Sequence, residues 1–532
     1  MLFTATALTK IIGAFLKVPL VGILGGAGMG YFAAAYNIFT PVYSVTAAVI
    51  PAVITKLVAS YRSTGRYRSV RKIRRVALRA SVLLGLLGAG VIALAAVPFA
   101  VYALGTPEAV PSMLVIAPSV LFCCISAVYK GYYEGLSDMS PTALSQIIEA
   151  ITKAAAGILL SGFILERTGS LPYAAAAAVF GVSISELCGF GFLFIRTRRG
   201  HDGISRSDML SSPEAERILS VLKEMFREML PLTFCAGIMS IVSFIDMMSV
   251  TSCINFAVNA DRAYFIAKYT YGAGLSSMSP AETGNFIYGC YSGIAVSLFS
   301  IIPALTALFG KSALPEIAAA WNLRDKDRAH RALGMMLKGT FVVGLPLCFG
   351  LAAVAEPLLS LLYSSKPAEA ALSLPPLVVL SVGGIFLSLW GTVACVLTAL
   401  GRSDVILKIM LCGSAVKLAL NIILIRIPEI NIVGASVATV SCYLLVSVIG
   451  FAVIKRMFGL RVAPTAMFWK SAVPAALCAL VAWSTDGAFS AEHGAVVSLV
   501  LSVGCGAAVY VALTVLLDFR YVVRVLKSLR HK

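Results

Sequence analysis

Long apolar stretches recur along almost the whole of this 532-residue chain, and they limit its possible folds more than any other feature. Runs of 18 or more mostly apolar residues are long enough to cross the roughly 30 Å hydrocarbon core of a bilayer as helices. Hydrophobic residues make up 59% of the chain and charged ones only 13%, well below the roughly 25% of a soluble domain. Because a backbone surrounded by hydrocarbon must satisfy its own hydrogen bonds, we predict an all-α polytopic membrane protein.

The apolar stretches predict 14 transmembrane helices, with the glycine-rich segment 25–30 as the turn between the first two. The predicted spans are 2–23, 31–59, 76–104, 112–132, 142–164, 172–195, 229–255, 285–309, 339–363, 373–400, 404–425, 430–453, 466–484 and 493–516.

Lysine and arginine are concentrated in alternate loops between the predicted spans. Segments 61–75 and 196–228 carry seven each, segment 310–338 carries six, and the intervening loops are nearly bare. Since basic loops remain on the cytoplasmic side, both termini are predicted to be cytoplasmic. The net charge of +18 then reflects topology and contact with anionic membrane lipids, and nucleic acid is not expected as a partner.

The chain repeats weakly at an offset near 264 residues. Lys153 in the fifth predicted span corresponds to Lys417 in the eleventh, and Gly-Leu-Ser-Asp at 135–138 is similar to Gly-Arg-Ser-Asp at 401–404. Transporters built from such repeats place the substrate site between two lobes and expose it to each side in turn. We predict two six-helix lobes, a linker with an amphipathic interfacial helix, and two C-terminal helices with a basic tail. The boundaries of these four parts are 1–196, 197–228, 229–455 and 456–532.

Few ionisable groups lie inside the predicted spans, and most of the cations belong to the first lobe. Lys10 and Lys17, seven residues apart, share one face of the first helix, and Lys153 lies one helical turn after Glu149. A cation near the bilayer centre costs roughly 2.5–3.5 kcal/mol, so a helix that keeps one is expected to direct it into a polar cavity. A cationic cavity favours an anionic cargo, and an ammonium group is a compact charge suited to phosphate oxygens.

Several of these groups have alternative interpretations. Lys130 is close enough to a span end to extend its ammonium group to the membrane surface. Lys153 could instead form an i,i+4 ion pair with Glu149. A proton or sodium site would need carboxylates, so Glu149, Glu186 and Asp246 are candidates either for ion coupling or for structural charge pairing.

The sequence contains no catalytic or metal-binding motif. The four histidines lie in predicted loops or the tail, and the 12 cysteines form no CxxC pair. We therefore expect neither an enzyme nor a metal or cofactor site. The longest outer loop, 256–284, carries Arg262 and Lys268, which could gate the exit or contact a sugar, and the loop could equally be a packed plug.

The segment GYYEGLSDMSPTALSQIIEAITK at 131–153 resembles the family of stage V sporulation protein B and related polysaccharide-biosynthesis membrane proteins. In that family a basic residue and an aromatic GY motif precede M-x-P-x-A-x-S-Q, a Glu, and a basic residue four positions later. The matching residues are Lys130, Gly131, Met139, Pro141, Ala143, Ser145, Gln146, Glu149 and Lys153. Segments 9–39 and 401–425 are similar to the family as well, and the resemblance extends over about residues 1–455.

The resemblance implies membership of the multidrug/oligosaccharidyl-lipid/polysaccharide flippase superfamily. In relatives that flip lipid II, cations of the central cavity hold the pyrophosphate, and Lys10, Lys17 and Lys153 fall where the family often has Arg. With Lys130, these residues form the expected pyrophosphate site.

The function implied is flipping of an undecaprenyl-pyrophosphate-linked oligosaccharide, with the peptidoglycan precursor lipid II as the first candidate. We expect a monomer that works by alternating access and draws on the membrane potential or on an Na⁺ or H⁺ gradient. The alternatives are a polysaccharide-repeat-unit exporter and an ion-coupled multidrug exporter of the same superfamily.

Overall fold

The computed structural model describes residues 2–199, 210, 212–214, 216–269, 278–323, 325–458 and 464–530. The side chains of several helical stretches are outside this description, and the predicted role of Lys10 falls among them. The described backbone is helical apart from short turns, and it contains no strand. The all-α fold class is thereby confirmed, and it follows from the need of a membrane-crossing backbone to satisfy its own hydrogen bonds.

The helices are numbered in chain order. They are α1 (Leu2–Thr46), α2 (Ile50–Ser63), α3 (Tyr67–Pro98), α4 (Val110–Gly135), α5 (Ser140–Thr168), α6 (Leu171–Arg198), α7 (Ile218–Ala260), α8 (Arg262–Tyr269), α9 (Pro280–Cys290), α10 (Val296–Phe299), α11 (Ile301–Asn322), α12 (Lys326–Ala353), α13 (Ala355–Leu362), α14 (Pro367–Ala399), α15 (Ser403–Leu424), α16 (Ile432–Phe458), α17 (Pro464–His493) and α18 (Ala495–Arg530). Two π-helical segments, Phe99–Leu104 and Tyr291–Ala295, follow α3 and α9. Proline occupies the first turn of α4, α5, α6, α9 and α14, where its missing N–H costs no intrahelical hydrogen bond.

Thirteen helical segments of the described chain are long and apolar enough to cross a membrane. The sequence predicted 14 because it separated the first two spans by a turn at 25–30. In the structure two helical halves of α1 meet at Gly25, whose φ of 61° and ψ of −172° are the non-helical angles within this helix. A positive φ has little steric cost for glycine, so the expected turn is reduced to a break at one residue.

The predicted outer loop 256–284 is partly helical. The long helix α7 continues to Ala260, the short helix α8 follows after one residue, and α9 begins four residues before the predicted loop ends. The prediction of a continuous loop was therefore wrong for these residues, while residues 270–277 lie outside the described chain.

Contacts between Cα atoms divide the chain into two compact units. The first comprises Met1–Asn259 and Ser277–Gly293, and the second comprises Ala260–Ser276 and Ile294–Lys532. Helices α7 and α9, which the sequence repeat assigns to the second lobe, therefore pack within the first unit. The units are defined by contacts between Cα atoms, whereas the predicted lobes are defined by the sequence repeat. The two divisions need not coincide, so the lobe boundaries stay a prediction.

Glycines bring α1 and α9 into backbone contact within the first unit. A Cβ added at Gly289 would overlap the carbonyl oxygen of Gly26, and one added at Gly26 would lie 2.6 Å from Sγ of Cys290. The side-chain amide of Asn285 donates to the carbonyl of Ala27 at 3.0 Å. Small residues allow such close crossings in membranes, where van der Waals contact and hydrogen bonds hold helices together.

The aromatic motif at 131–135 packs α4 against α2. An added Cβ at Gly131 or Gly135 would lie 2.7 or 2.6 Å from atoms of α2, so both positions require glycine for the close approach. Tyr132 and Tyr133 are fully buried, and the hydroxyl of Tyr133 lies 2.9 Å from that of Thr197 on α6. The start of the segment that resembles the family is thus a packing element that fixes α4 beside the charged residues described below.

The predicted interfacial helix corresponds to the start of α7, and acidic side chains on it and just before it contact the hairpin of α2 and α3. Glu228 pairs with Lys56 at 2.6 Å, and Glu216 pairs with Arg66 at 2.7 Å. The hydroxyl of Tyr61 lies 2.8 Å from the carboxylate of Glu216. Because exposed ion pairs contribute only about 0–1 kcal/mol each, we expect this contact to weaken with salt.

Hydroxyl groups connect α11 and α12 to α14 within the second unit. Thr306 donates to Ser388 at 2.9 Å, and the hydroxyls of Thr340 and Thr392 lie 2.9 Å apart. All four residues are buried. Interhelical hydrogen bonds in membranes contribute about 0.6 kcal/mol on average, so these pairs orient the helices more than they hold them together.

Candidate functional site

Four helices of the first unit bring predicted charged residues together. Lys17 lies on α1, Lys130 near the end of α4, Glu149 and Lys153 one turn apart on α5, and Glu186 on α6. Helix α5 packs against α1 and α6, and α6 also packs against α4. Lys17 is thereby brought near Lys153, and Lys130 and Lys153 are brought near Glu186. We call these five residues the lysine–glutamate cluster.

Lys130 and Glu149 form an ion pair across two helices. Nζ of Lys130 lies 2.9 Å from each carboxylate oxygen of Glu149 and donates a hydrogen bond to Oε2. The side chains retain 17% and 13% of their exposure, so the pair is enclosed but still reachable. Lys130 is thus engaged inside the unit, and the i,i+4 pair between Glu149 and Lys153 considered from the sequence is not the pair that forms.

Gly189 on α6 provides the space for the Glu149 carboxylate. A Cβ added at Gly189 would overlap Oε1 of Glu149 and lie 2.7 Å from its carboxyl carbon. At Gly191, two residues further along the same helix, nothing lies within 4 Å of an added Cβ. Helix α6 therefore has a notch at Gly189 that accommodates one carboxylate.

The other two lysines are held by weaker contacts. Nζ of Lys153 lies 4.9 Å from the ring centroid of Tyr36 on α1, a cation–π distance. Lys17 donates to the carbonyl of Ser292, in the π-helical segment after α9, at 3.4 Å. Among the residues that the structure describes, neither ammonium group has a carboxylate within ion-pair distance. These two cations are therefore the ones available to an anion.

Glu186 is the second carboxylate of the cluster. It interacts electrostatically with Lys130, Lys153 and Glu149, and it lies beside the thiol of Cys123. Three ammonium groups thus face two carboxylates, and one positive charge remains. Because charges interact more strongly away from bulk water, this excess favours an anion at the cluster.

The remaining predicted residues are at other places in the chain. Asp246 is half-buried on α7, and Arg262 is exposed at the start of α8. Lys268 on α8 donates to the backbone carbonyl of Glu429 at 2.8 Å. Lys417 is half-buried on α15, in the second unit. Ion coupling by Asp246 and gating by Arg262 and Lys268 stay predictions.

Two contributors to the cluster, Tyr36 and Gly189, were not identified from the sequence. Tyr36 belongs to an aromatic row on α1, in which neighbouring rings of Phe32, Tyr36, Phe39 and Tyr43 lie 4.9–6.1 Å apart. The three- and four-residue spacing of this row was visible in the sequence and could have indicated an aromatic surface facing the lysines. No sequence pattern distinguishes Gly189 from the other glycines of α6.

The cluster is suited to reversible binding of an anion. Each ammonium group offers three hydrogen-bond donors and no acceptor, which matches the oxygens of a phosphate. Within the part of the chain that the structure describes, no group of three or more His, Cys, Asp or Glu side chains is arranged to hold a metal ion.

A helical fold with many membrane spans and a cluster of charges among its helices defines a multi-pass membrane transporter. The chain belongs to the polysaccharide biosynthesis protein family, whose description matches residues 1–281, more than half of its length. Residues 292–423 match a second family, MatE. The resemblance drawn from segment 131–153 is thereby confirmed. The relatives are transporters and flippases, so the chain is a transporter rather than an enzyme.

Two curated relatives come from Bacillus subtilis (strain 168). Lipid II flippase MurJ is 22% identical over 95% of this chain and 92% of its own length. Stage V sporulation protein B is 22% identical over 87% of this chain and 83% of its own length.

Solved structures share the fold at low sequence identity. "Lipid II flippase MurJ, inward closed conformation" aligns with a TM-score of 0.68 at 14% identity and covers 98% of this chain and 99% of its own. An inward-facing multidrug resistance MATE family transporter of the MOP superfamily aligns with a TM-score of 0.55 at 15% identity, over 86% and 94% of the two chains. These likenesses establish the fold alone.

Proposed function

We propose that this protein is a flippase for an undecaprenyl-pyrophosphate-linked oligosaccharide in the cytoplasmic membrane of a bacterium, with lipid II as the first candidate cargo. The observation that carries the proposal is the lysine–glutamate cluster. Its ammonium groups outnumber its carboxylates, and the direct contacts described for Lys17 and Lys153 are a backbone carbonyl and an aromatic ring. The family and the curated relatives named above support the same class of cargo.

The pyrophosphate of the cargo would bind the ammonium groups of the cluster, first Lys17 and Lys153, which are not paired with a carboxylate, and then Lys130 in exchange for Glu149. Two opposite unit charges about 5 Å apart attract each other by about 3 kcal/mol at an effective dielectric constant of 20. Losing one lysine should therefore cost a substantial part of that attraction, with the remainder recovered by water and by the other cation. Alternating access, as in other transporters built from repeats, would present the bound cargo to each side of the membrane in turn.

The membrane potential would favour outward movement of such a cargo. Moving one charge across 100 mV corresponds to about 2.3 kcal/mol, so a cargo with two negative charges gains about 4.6 kcal/mol when the cytoplasm is negative. An Na⁺ or H⁺ gradient acting on Glu149 or Glu186 would be an additional source and is a separate hypothesis.

Export of organic cations is the second candidate function. The match of residues 292–423 to MatE and the two carboxylates of the cluster favour it. Glu149 is however already paired with Lys130, so only Glu186 would be available to a cation. A polysaccharide repeat unit on the same lipid pyrophosphate would differ from lipid II in its sugars, and the cluster would bind both in the same way.

The test is transport by the purified protein in liposomes. Fluorescent lipid II, a lipid-linked repeat unit and ethidium would be compared for the wild type and for Lys17→Gln, Lys153→Gln and the control Lys455→Gln, an exposed lysine at the end of α16. We expect at least tenfold slower flipping of a lipid pyrophosphate by the first two variants, and wild-type rates for the control. Full flipping by both cluster variants would refute the proposed site, and transport of ethidium alone would refute the proposed cargo.

A further inference from the structure

Glu149 is a carboxylate in the place where the proposed function requires an anionic cargo. Its position is fixed from two helices, by the ammonium group of Lys130 on α4 and by the notch at Gly189 on α6. Oε2 accepts the hydrogen bond from Lys130, while the buried Oε1 has no hydrogen-bond partner within the described structure. The carboxylate is therefore enclosed, and one ammonium group lies 2.9 Å from both of its oxygens while donating a hydrogen bond to Oε2.

The pairing is selective within the cluster. Lys153 lies four residues after Glu149 on the same helix, the usual spacing of a helical ion pair, yet its ammonium group lies over the ring of Tyr36. One lysine is thus already occupied by an internal anion, while Lys153 remains available. Lys130 contacts the carboxylate directly, and the backbone of Lys153 lies about 6 Å further along the axis of α5 than that of Glu149, at about 1.5 Å per residue.

We propose that Glu149 is a resident counter-anion that selects diphosphate cargo over monophosphate cargo. This inference rests on the proposed function. A monophosphate ester with a single charge that replaced Glu149 at Lys130 would exchange one negative charge for another and gain little. A diphosphate can place one phosphate at Lys130 and the other at Lys153, so it gains a second ammonium contact that the carboxylate does not have.

The consequence is a specificity determined by the protein's own carboxylate. With Glu149 in place, Lys130 binds only an anion that can also reach Lys153. Without the carboxylate, Lys130 is open to any phosphate, and the distinction between one and two phosphates is reduced. Glu149 influences cargo binding through Lys130, so it is a positioning residue for the lysines of the cluster.

The experiment measures binding of inorganic pyrophosphate and inorganic phosphate to the purified full-length protein by calorimetry. For the wild type we expect pyrophosphate to bind at least tenfold more tightly than phosphate. In Glu149→Gln the dissociation constant for phosphate should fall at least tenfold, and the preference for pyrophosphate should fall below about threefold. Glu166→Gln, the same change at an exposed position of the same helix, should leave both constants unchanged.

A second pair of variants separates specificity from folding. Gly189→Ala pushes the carboxylate out of its notch without changing any charge, and it should shift the phosphate preference in the same direction as Glu149→Gln. Gly191→Ala, where the added methyl group meets no atom within 4 Å, should behave as the wild type.

The outcomes distinguish this inference from the proposed function. Pyrophosphate binding by the wild type, with an unchanged preference in both Glu149→Gln and Gly189→Ala, would refute the counter-anion role and leave the flippase proposal standing. If the wild type and Glu149→Gln bind neither anion, the pyrophosphate site itself is refuted, and the inference is refuted with it.

Discussion

Replacement of Gly289 by alanine should weaken the first unit at the crossing of α1 and α9. The added Cβ would overlap the carbonyl oxygen of Gly26 and lie 2.5 Å from the backbone nitrogen of Gly30. Both neighbours are backbone atoms of a helix, so no side-chain rotation can relieve the overlap. An ordinary contact between carbon and oxygen is about 3.3–3.6 Å, and the two helices must therefore separate by about 1 Å or more.

The expected loss in the free energy of unfolding has two sources, overpacking at the crossing and weakened hydrogen bonds between the helices. Overpacking in a well-packed interior costs about 1–3 kcal/mol. The hydrogen bonds from Asn285 to Ala27, 3.0 Å, and from Asn37 to Tyr288, 3.2 Å, join the same two helices. Weakening both adds about 1 kcal/mol at an average of about 0.6 kcal/mol each. We expect Gly289→Ala to lower the free energy of unfolding by about 2–4 kcal/mol.

The assay is reversible unfolding in mixed micelles with increasing SDS, followed by circular dichroism. Gly391→Ala on α14 is the matched control, because an added Cβ there meets nothing within 4 Å. The buried thiol of Cys290 gives a second readout, since separated helices should make it react faster with a maleimide. A free energy of unfolding for Gly289→Ala within about 0.5 kcal/mol of the control would show that the crossing is not under this constraint.

Three further changes have definite expected outcomes. Lys130→Gln leaves the enclosed carboxylate of Glu149 without its cation, so it should lower the free energy of unfolding by about 1–3 kcal/mol in the same micelle assay. Stability equal to that of the wild type would contradict the ion pair. Lys56→Glu should repel Glu228 and so speed hydrogen exchange at the start of α7 at low salt. The difference should disappear at high salt, when exposed charges are screened, and an effect that persists in salt would contradict this electrostatic account. Lys268→Gln removes the bond to the carbonyl of residue 429 and should speed hydrogen exchange within α8 by severalfold, whereas unchanged exchange would mean that the bond does not hold this helix.

Hydropathy predicted the helices well because a membrane span is a long local feature. Segment 142–164 falls inside α5, and segment 404–425 agrees with α15 to within one residue at each end. The glycine-rich segment 25–30 was predicted as the turn between the first two spans, and the non-helical residue Gly25 lies at its start. The same segment also forms the close crossing with α9, which the sequence did not indicate and only the packing of the helices shows.

The sequence predicted which charged residues form the candidate site, but it did not predict which of them form the ion pair. Lysines inside apolar helices are visible in the sequence because they are costly there. The partner of Glu149 depends on how α4 and α5 are packed, and the helical spacing favoured Lys153 while the fold supplies Lys130. The notch at Gly189 depends on the separation of α5 and α6, which no local pattern encodes.

The bond between Lys17 and the carbonyl of Ser292 joins residues 275 positions apart. A ribosome that adds about 5–20 residues per second needs about 14–55 s to make that length of chain. During this interval α1 carries its charge without the partner that it has in the folded unit. The N-terminal helix therefore cannot reach its final arrangement as it leaves the ribosome, and its packing must be completed after α9 has been synthesised. The contact of α1 with the segment after α9 is consequently completed only when the last stretch of the first unit has been made.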